Sequence, residues 1–210
     1  MRLPPMQESV ADIPEGKLVG QLLGEAHWRD LILNLKGLPA NPRIMQQGPL
    51  ANAPGAPKGD IDILLSPPGW PAEATAIEVK RIRFGEAAFE PAGQPNKLQE
   101  YRKGVAQANR LHALGFFQVY LYVLVVVDSR ARNYDRIAFD GLTSEQRSLI
   151  EATVSLEHLQ PGVGLAECTF VQPMDHPPLT VGTSGLHLRR AATPREQLRG
   201  LTDWLVSVMG

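Results

Sequence analysis

Residues 59–83, GDIDILLSPPGWPAEATAIEVKRIR, indicate two short strands joined by a turn, and the rest of the fold is predicted outward from them. Residues 60–65 alternate acidic and apolar side chains before the run becomes wholly apolar, and residues 75–82 alternate again. The sequence SPPG at 66–69 breaks the extended run between them. We therefore predict two neighbouring antiparallel strands.

Charged side chains of the two predicted strands fall on shared faces. Because successive side chains of a strand point to opposite faces, Asp60 and Asp62 lie on one face of the first strand. By the same alternation, Glu78 and Lys80 lie on one face of the second strand. Antiparallel pairing then brings three carboxylates and one ammonium to one edge of a sheet, an arrangement suited to a divalent cation and a phosphodiester. Asp60 has two interpretations, an outer carboxylate of this site or a solvated charge where the strand begins.

The motif of an acidic residue, a turn and Glu-x-Lys, here Asp62 and the sequence EVK at 78–80, resembles the signature of the PD-(D/E)xK nuclease superfamily. Ile61 stands where that signature has proline. The resemblance extends as far as Asp128. It implies a metal-dependent phosphodiesterase that cuts nucleic acid, most of all a DNA nuclease.

The resemblance also implies a cofactor and a role for each residue of the motif. The cofactor would be Mg²⁺, or Mn²⁺ in its place, held by the carboxylates of Asp62 and Glu78. The carbonyl of Val79 would be a natural third ligand. Lys80 would orient or deprotonate the attacking water, or neutralise the charge that develops on the phosphate.

Two further site residues are implied by the same resemblance. Many superfamily members offer a glutamate from the first core helix to the metal site, and Glu25 is the candidate here. Its other interpretation is a solvated helix carboxylate that pairs with Arg29. Many members also carry a glutamine on the helix after the Glu-x-Lys strand, which matches Gln107, although Leu111 stands where a tyrosine often follows.

The helix predicted after the motif is basic, and its cations are candidates for contacts with the nucleic-acid backbone. Lys97, Arg102 and Lys103 follow directly on the proposed phosphate-cutting site. Basic charge on a helix can equally be a solvated face with no partner.

The elements predicted around the two strands have the order of an α/β fold with a restriction-endonuclease-like core. Hydrophobic periodicity and breakers predict a helix at 15–36, a strand at 43–47, a helix at 95–114 and a strand at 116–128. The resulting order of helix, three-strand meander, helix and strand matches the common core of the resembled superfamily. The β-branched and aromatic sequence of 116–128 predicts a strand that is buried on both faces.

The region after this core is predicted to form a helix-strand-helix extension. Capping boxes at Thr143 and Thr193 predict helices that end near 159 and near 209. Residues 165–171 indicate a strand between these helices, and residues 172–185 indicate a loop.

Length and composition predict one domain. A chain of 210 residues with 43% hydrophobic content can bury one substantial core. We expect an irregular arm at 1–14 and a single domain at 15–210, with its core at about 15–128 and its extension at about 129–210. The formal net charge of −1 means that any contact with nucleic acid has to come from a local patch.

Cysteine usage and hydropathy favour a cytoplasmic protein with no membrane span. Cys168 is the single cysteine, so no internal disulfide is possible, and its apolar surroundings indicate a buried thiol. Residues 1–10 lack the apolar segment of a signal peptide. The longest apolar run, 119–127, is too short for a membrane helix.

Alternatives to an active nuclease remain open. A catalytically inactive nuclease-like module could use the same fold to bind nucleic acid or a protein partner. A small structural protein could carry Glu78 and Lys80 as ordinary exposed strand charges. No phosphate-binding glycine loop, zinc spacing or nucleophile elbow indicates another enzyme class.

A homodimer is a further possibility, because the last predicted helix carries an apolar stripe. Leu198, Leu201, Leu205 and Val208 repeat at helical spacing. The stripe could form a dimer surface, or it could cover the core of a monomer.

Overall fold

The computed structural model describes residues 13–33, 38–39, 41–50, 53, 60–85, 88, 98–128, 142–172 and 184–209. Within these residues the helices are α1 (Glu15–Gly24), α2 (Ala26–Leu33), α3 (Leu98–Leu114), α4 (Ser144–Thr153) and α5 (Arg199–Met209). The strands are β1 (Arg43–Pro49), β2 (Asp60–Ser66), β3 (Thr75–Phe84), β4 (Gln118–Asp128), β5 (Gly164–Gln172) and β6 (Ser184–Arg190). A short 3-10 helix, Pro71–Glu73, lies between β2 and β3.

The six strands form one mixed sheet in the order β1-β2-β3-β4-β5-β6. The first three strands make the predicted antiparallel meander. β3 and β4 are parallel, and so are β4 and β5, whereas β6 returns antiparallel to β5. Parallel neighbours need a crossover connection, which α3 provides between β3 and β4. The mixed α/β class is as predicted.

Buried side chains fill both faces of this sheet. One cluster packs against α3, α4 and α5, and the other packs against α1 and α2. β4 contributes to both, because Leu121, Val123 and Val125 lie in the first cluster, whereas Tyr122 and Leu124 lie in the second. The prediction that this strand is buried on both faces is therefore confirmed.

The predicted first helix is broken at Glu25. Its backbone leaves the helical region there, at φ −89° and ψ 121°, so α1 ends at Gly24 and α2 begins at Ala26. Glycine is the weakest helix former after proline, which lowers the cost of a break at this point. The last predicted residues of this helix, 34–36, lie outside the described residues.

The two predicted capping boxes have opposite outcomes. The hydroxyl of Thr143 accepts a hydrogen bond from the backbone N–H of Gln146, and the backbone N–H of Thr143 donates to the side-chain oxygen of Gln146, so the capping box of α4 is confirmed. The box at Thr193 is wrong, because α5 begins only at Arg199. The N–H of Thr193 donates to the carbonyl of Gly162, whereas a capping box would have it donate to the side chain of Glu196.

Two other boundaries of the extension differ from the prediction. α4 ends at Thr153 rather than near 159. β6 lies partly inside the predicted loop and was not foreseen, because only Leu186 and Leu188 alternate in it and polar residues surround them. Pairing with β5 supplies its backbone hydrogen bonds.

The apolar stripe of α5 covers the core. Leu201 and Leu205 are buried in the cluster on the α3 side of the sheet, whereas Leu198 is 59% exposed. The structure supports the interpretation that the stripe covers the core. The homodimer stays a prediction, and this stripe does not provide its surface. Among the described residues, no helix is long and apolar enough to cross a membrane. Cys168 is buried and free, as expected.

A single buried glutamine fixes the segment that precedes α5. The side-chain oxygen of Gln197 accepts hydrogen bonds from the N–H groups of Ala74 (3.2 Å) and Phe117 (3.4 Å). Its side-chain nitrogen donates to the carbonyl of Pro71 (2.8 Å) and to the hydroxyl of Thr202 (2.9 Å). These bonds join the starts of β3 and β4 to α5 and replace the predicted helix turn.

We predict that Gln197→Ala lowers the free energy of unfolding by roughly 2 kcal/mol, because it leaves buried backbone donors without acceptors. Urea denaturation measures the loss. Gln99→Ala, on the exposed surface of α3, is the matched control and should change stability by less than about 0.5 kcal/mol. Equal small losses in both variants would contradict this role for Gln197.

Candidate active site

The site forms where β2 and β3 separate. Their pairing joins Ile63 to Ile77 and covers three positions of each strand, whereas β3 pairs with β4 along its whole length. Beyond Ile77, the β2-facing backbone groups of β3 therefore need other partners. Because buried N–H and C=O groups are almost always hydrogen-bonded, side chains have to supply them.

Two carboxylates supply partners to this strand edge. Asp62 Oδ2 accepts a hydrogen bond from the N–H of Val79 at 2.7 Å. Glu15 Oε2 accepts one from the N–H of Arg81 at 2.6 Å. Hydrogen bonds to an ionised carboxylate are among the stronger ones in proteins, so these two side chains hold β2 and the start of α1 against β3.

The ammonium of Lys80 lies among three carboxylates. Its Nζ is 2.5 Å from Glu78 Oε1, 3.4 Å from Glu15 Oε1 and 3.8 Å from Asp62 Oδ2. It also donates to the carbonyl of Val79 at 2.9 Å. We call Glu15, Asp62, Glu78 and Lys80 the carboxylate–lysine cluster. Glu78 and Lys80 are buried, whereas the side chains of Asp62 and Glu15 are 28% and 29% exposed, so the cluster opens to solvent on one side.

Glu78 forms a close ion pair with Lys80 inside the cluster. Its Oε1 is buried and lies 2.5 Å from the ammonium Nζ, the short distance of a charge-assisted contact. A metal ion bound at this oxygen would therefore have to share Glu78 with Lys80.

The electrostatics of the cluster show that its negative charge is only partly compensated. Burial, and then the charge of Asp62, raise the pKa of Glu78 to about 7 against the attraction of Lys80. Burial also raises the pKa of Asp62, although the N–H of Val79 and Lys80 oppose it. Burial alone lowers the pKa of Lys80, but the carboxylates outweigh it and the pKa lies above its usual value.

The donors around Lys80 fit a hard divalent cation. Asp62, Glu78 and the carbonyl of Val79 all approach the same ammonium, and the four side chains of the cluster carry a net formal charge of −2 when all of them are ionised. Mg²⁺ usually takes one or two carboxylates and keeps several waters. Among the described residues, no three His, Cys, Asp or Glu side chains are arranged to hold a metal ion, so the donor set would be two carboxylates and one carbonyl.

The structure brings together four of the residues that the motif implies, Asp62, Glu78, Val79 and Lys80. Their catalytic and metal-binding roles stay predictions. Asp60 is exposed at the start of β2, where the structure shows it as a solvated charge.

The glutamate of the first helix that reaches the cluster is Glu15 and not Glu25. Glu25 is exposed at the opposite end of the ten-residue α1, about 15 Å away along the helix axis. The sequence carried a signal for Glu15, which is the acidic residue of the first helical turn directly after Pro14. That signal does not show where the helix docks.

The remaining predicted residues lie on or before α3. Gln107 is half-buried, and no hydrogen bond recorded for the described residues joins it to the cluster. Lys97 lies outside the described residues. Arg102 and Lys103 are exposed as expected, but Lys103 forms an ion pair with Glu100 at 2.8 Å. Arg102 lines a cavity of about 260 Å³ between α3 and the end of α4.

Comparisons with known proteins do not place the chain in a family. No protein-family profile and no curated protein sequence matches it. Among solved structures, SfsA of Pyrococcus furiosus in complex with Ca²⁺ aligns with 83% of the chain, at 14% sequence identity and a TM-score of 0.33. The alignment covers 63% of SfsA, so the chain spans less than two thirds of that protein. Similarity at this level carries no argument about fold or function.

We predict that Glu78 makes the protein less stable as the pH rises. The folded protein holds this proton with a pKa of about 7, against 4.5 for the ordinary side chain. The proton therefore favours folding at low pH, and this contribution is lost as the pH rises from about 4.5 to about 7. Glu78→Gln should remove that loss. The melting temperature of the variant minus that of the wild type should therefore increase as the pH rises from about 5 to about 8.

Thermal melts of both proteins across this range measure the effect. Asp60→Asn is the matched control, since it removes an exposed carboxylate of β2 outside the cluster. Its melting curve should run parallel to that of the wild type. Parallel curves for wild type and Glu78→Gln would show that Glu78 titrates normally.

Proposed function

We propose that the chain is a metal-dependent phosphodiesterase that cuts nucleic acid, DNA above all, and that it has the restriction-endonuclease-like core of the PD-(D/E)xK nucleases. The observation that carries the proposal is the convergence of Asp62, Glu78 and Lys80 on the backbone of Val79 where β2 and β3 separate. The acidic strand β2 and the Glu-x-Lys strand β3 meet there and run antiparallel, as the sequence predicts.

Asp62, Glu78 and the carbonyl of Val79 are the groups that would hold Mg²⁺ or Mn²⁺. The net negative charge of the cluster supports this assignment. A bound ion would supply polarisation of the scissile phosphate and a water of lowered pKa. The solvent-facing side of Asp62 leaves room for substrate to approach.

Lys80 would act on the attacking water or on the developing charge of the phosphate. Its ammonium is held by Glu78 and by the carbonyl of Val79, so it is positioned before substrate arrives. Fixed charges of this kind stabilise a transition state without reorganising. Glu15 would hold Lys80 from the α1 side, because its carboxylate bonds both the ammonium and the backbone of Arg81.

A second candidate is a catalytically inactive module that binds nucleic acid or a protein. The observation in its favour is that Lys80 contacts all three carboxylates of the cluster, which gives them an internal counter-ion. In that case the cluster would be a structural ion-pair network. Binding of metal and cleavage of DNA separate the two candidates.

We predict that Mn²⁺ stabilises the wild-type protein. A ligand that binds only the folded state at about 100 times its Kd adds roughly 2.7 kcal/mol, which is several degrees of melting temperature for a chain of this size. Asp62→Ala should abolish the gain because it removes a metal ligand, and Asp60→Ala should keep it. An equal gain in Asp62→Ala and wild type would contradict the site.

We predict that the purified protein cuts DNA with Mg²⁺ and not with EDTA. Linear, circular and single-stranded DNA should be tested in parallel. Asp62→Asn, Glu78→Gln and Lys80→Met should each lose about 10²-fold or more of the rate, whereas Asp60→Asn should retain it. Mn²⁺ binding at Asp62 without cleavage of any substrate would favour the inactive module.

We predict that Arg102 contacts the phosphate backbone of DNA. It is exposed on α3, whereas the charge of Lys103 is partly satisfied by Glu100. Arg102→Ala should weaken binding and flatten the dependence of log Kd on log salt by about 0.9, the slope of one phosphate contact. Arg147→Ala, which removes an exposed arginine of α4, is the control, and an unchanged slope in Arg102→Ala would refute the contact.

A further inference from the structure

Gly104 occupies a buried position in the middle of α3. Glycine is the weakest helix former after proline, because it loses the most backbone freedom and adds no packing. The other residues of this 17-residue helix include no second glycine. A buried glycine at this place therefore needs a reason in the packing of α3 against the sheet.

The reason is the side chain of Lys80. A β-carbon built on Gly104 would overlap Lys80 Cγ and would lie 3.2 Å from Lys80 Cδ. The next contact, 3.3 Å to Leu121 Cδ1, is one that a small shift of a leucine methyl accommodates. The stem of Lys80 thus lies directly against the backbone of α3, in the space that a side chain at 104 would take.

Lys80 cannot leave this space without breaking the contacts of its ammonium. The overlapping atom is Cγ, at the base of the side chain, where a shift moves the whole stem. At the other end, Nζ is held by Glu78 Oε1, by Glu15 Oε1 and by the carbonyl of Val79. Lys80 as a whole is only 7% exposed. A larger residue at 104 would therefore displace the ammonium from its carboxylates.

We propose that Gly104 is a positioning residue, which directs the ammonium of Lys80 into the carboxylate–lysine cluster by leaving space for its stem. The catalytic consequence rests on the proposed nuclease function, whereas the effect of Gly104 on Lys80 does not. The basic helix α3 therefore belongs to the site through its backbone as well as through the cations that it exposes.

A double-mutant cycle tests the contact by stability alone. In the wild-type background, Gly104→Ala should lower the melting temperature, because the new methyl overlaps the Lys80 stem. In a Lys80→Ala background the same change should raise it, because no Cγ remains and the better helix former is left. Ala106→Gly, at an exposed position of α3, is the control and should lower the melting temperature equally in both backgrounds.

A spectroscopic measurement reports on the ammonium itself. The signal of the Lys80 ε-carbon, assigned by its loss in Lys80→Ala, should shift in Gly104→Ala and stay in place in Ala106→Gly. If the protein cuts DNA, Gly104→Ala should also lower kcat and leave KM unchanged, since the exposed cations of α3 are untouched. A change in overall stability alone would not lower kcat while shifting the Lys80 signal and leaving KM unchanged.

The outcomes separate this proposal from the proposed function. A sign change between backgrounds, or folding of Gly104→Ala only when Lys80 is truncated, supports the positioning role whether or not DNA is cut. The same effect in both backgrounds, or failure to fold in both, overturns it and shows that α3 and the sheet are close for another reason. Cleavage that depends on Asp62 would then still support the nuclease.

Discussion

A deficit of sheet hydrogen bonds is the constraint on which the site depends. β3 is paired along its whole length on the β4 side but over three positions on the β2 side. The backbone of Val79 and Arg81 would otherwise be buried without partners, which proteins avoid. Asp62 and Glu15 provide the missing acceptors. The same separation of strands that creates the deficit also opens the space in which these carboxylates meet, so the fold and the site have one structural cause.

Acidic side chains that accept hydrogen bonds from the backbone bring negative charge into a buried region. Lys80 neutralises part of that charge through its ammonium. Its stem packs between the sheet and α3 while its ammonium reaches the carboxylates, as long basic side chains commonly do at the edge of a core. The compensation is incomplete, since burial and Asp62 still raise the pKa of Glu78 to about 7. A cluster built only for stability would be better served by apolar residues, because buried ion pairs rarely repay their desolvation. The incomplete neutralisation of the cluster therefore favours a functional role for it over a purely structural one.

The two faces of β3 could be predicted because they follow local alternation. Ile77 and Val79 pack on one side of β3 while Glu78 and Lys80 lie on the other, as period-two patterning requires. The prediction of Glu25 shows the limit of such reasoning, because the glutamate that reaches the cluster is Glu15. Periodicity identifies the face of a helix but not the end that docks, and docking is set by the contact between the start of α1 and β3. The participation of Glu15 is therefore a tertiary fact that local sequence cannot supply.

Thr143 and Thr193 show why the same local signal succeeds in one place and fails in another. Both begin a capping box, yet only the first caps a helix, because the backbone that follows the second bonds to the segment before β4: the N–H of Arg195 donates to the carbonyl of Phe117, and the N–H of Leu198 donates to that of Gly115. A cap contributes about 1 kcal/mol, so a few buried hydrogen bonds outweigh it. The bond between Asp62 and Val79 obeys the same rule, since a side chain there replaces a sheet partner. Among the described residues, side chains thus satisfy buried backbone groups at two places, the segment before α5 and the candidate active site.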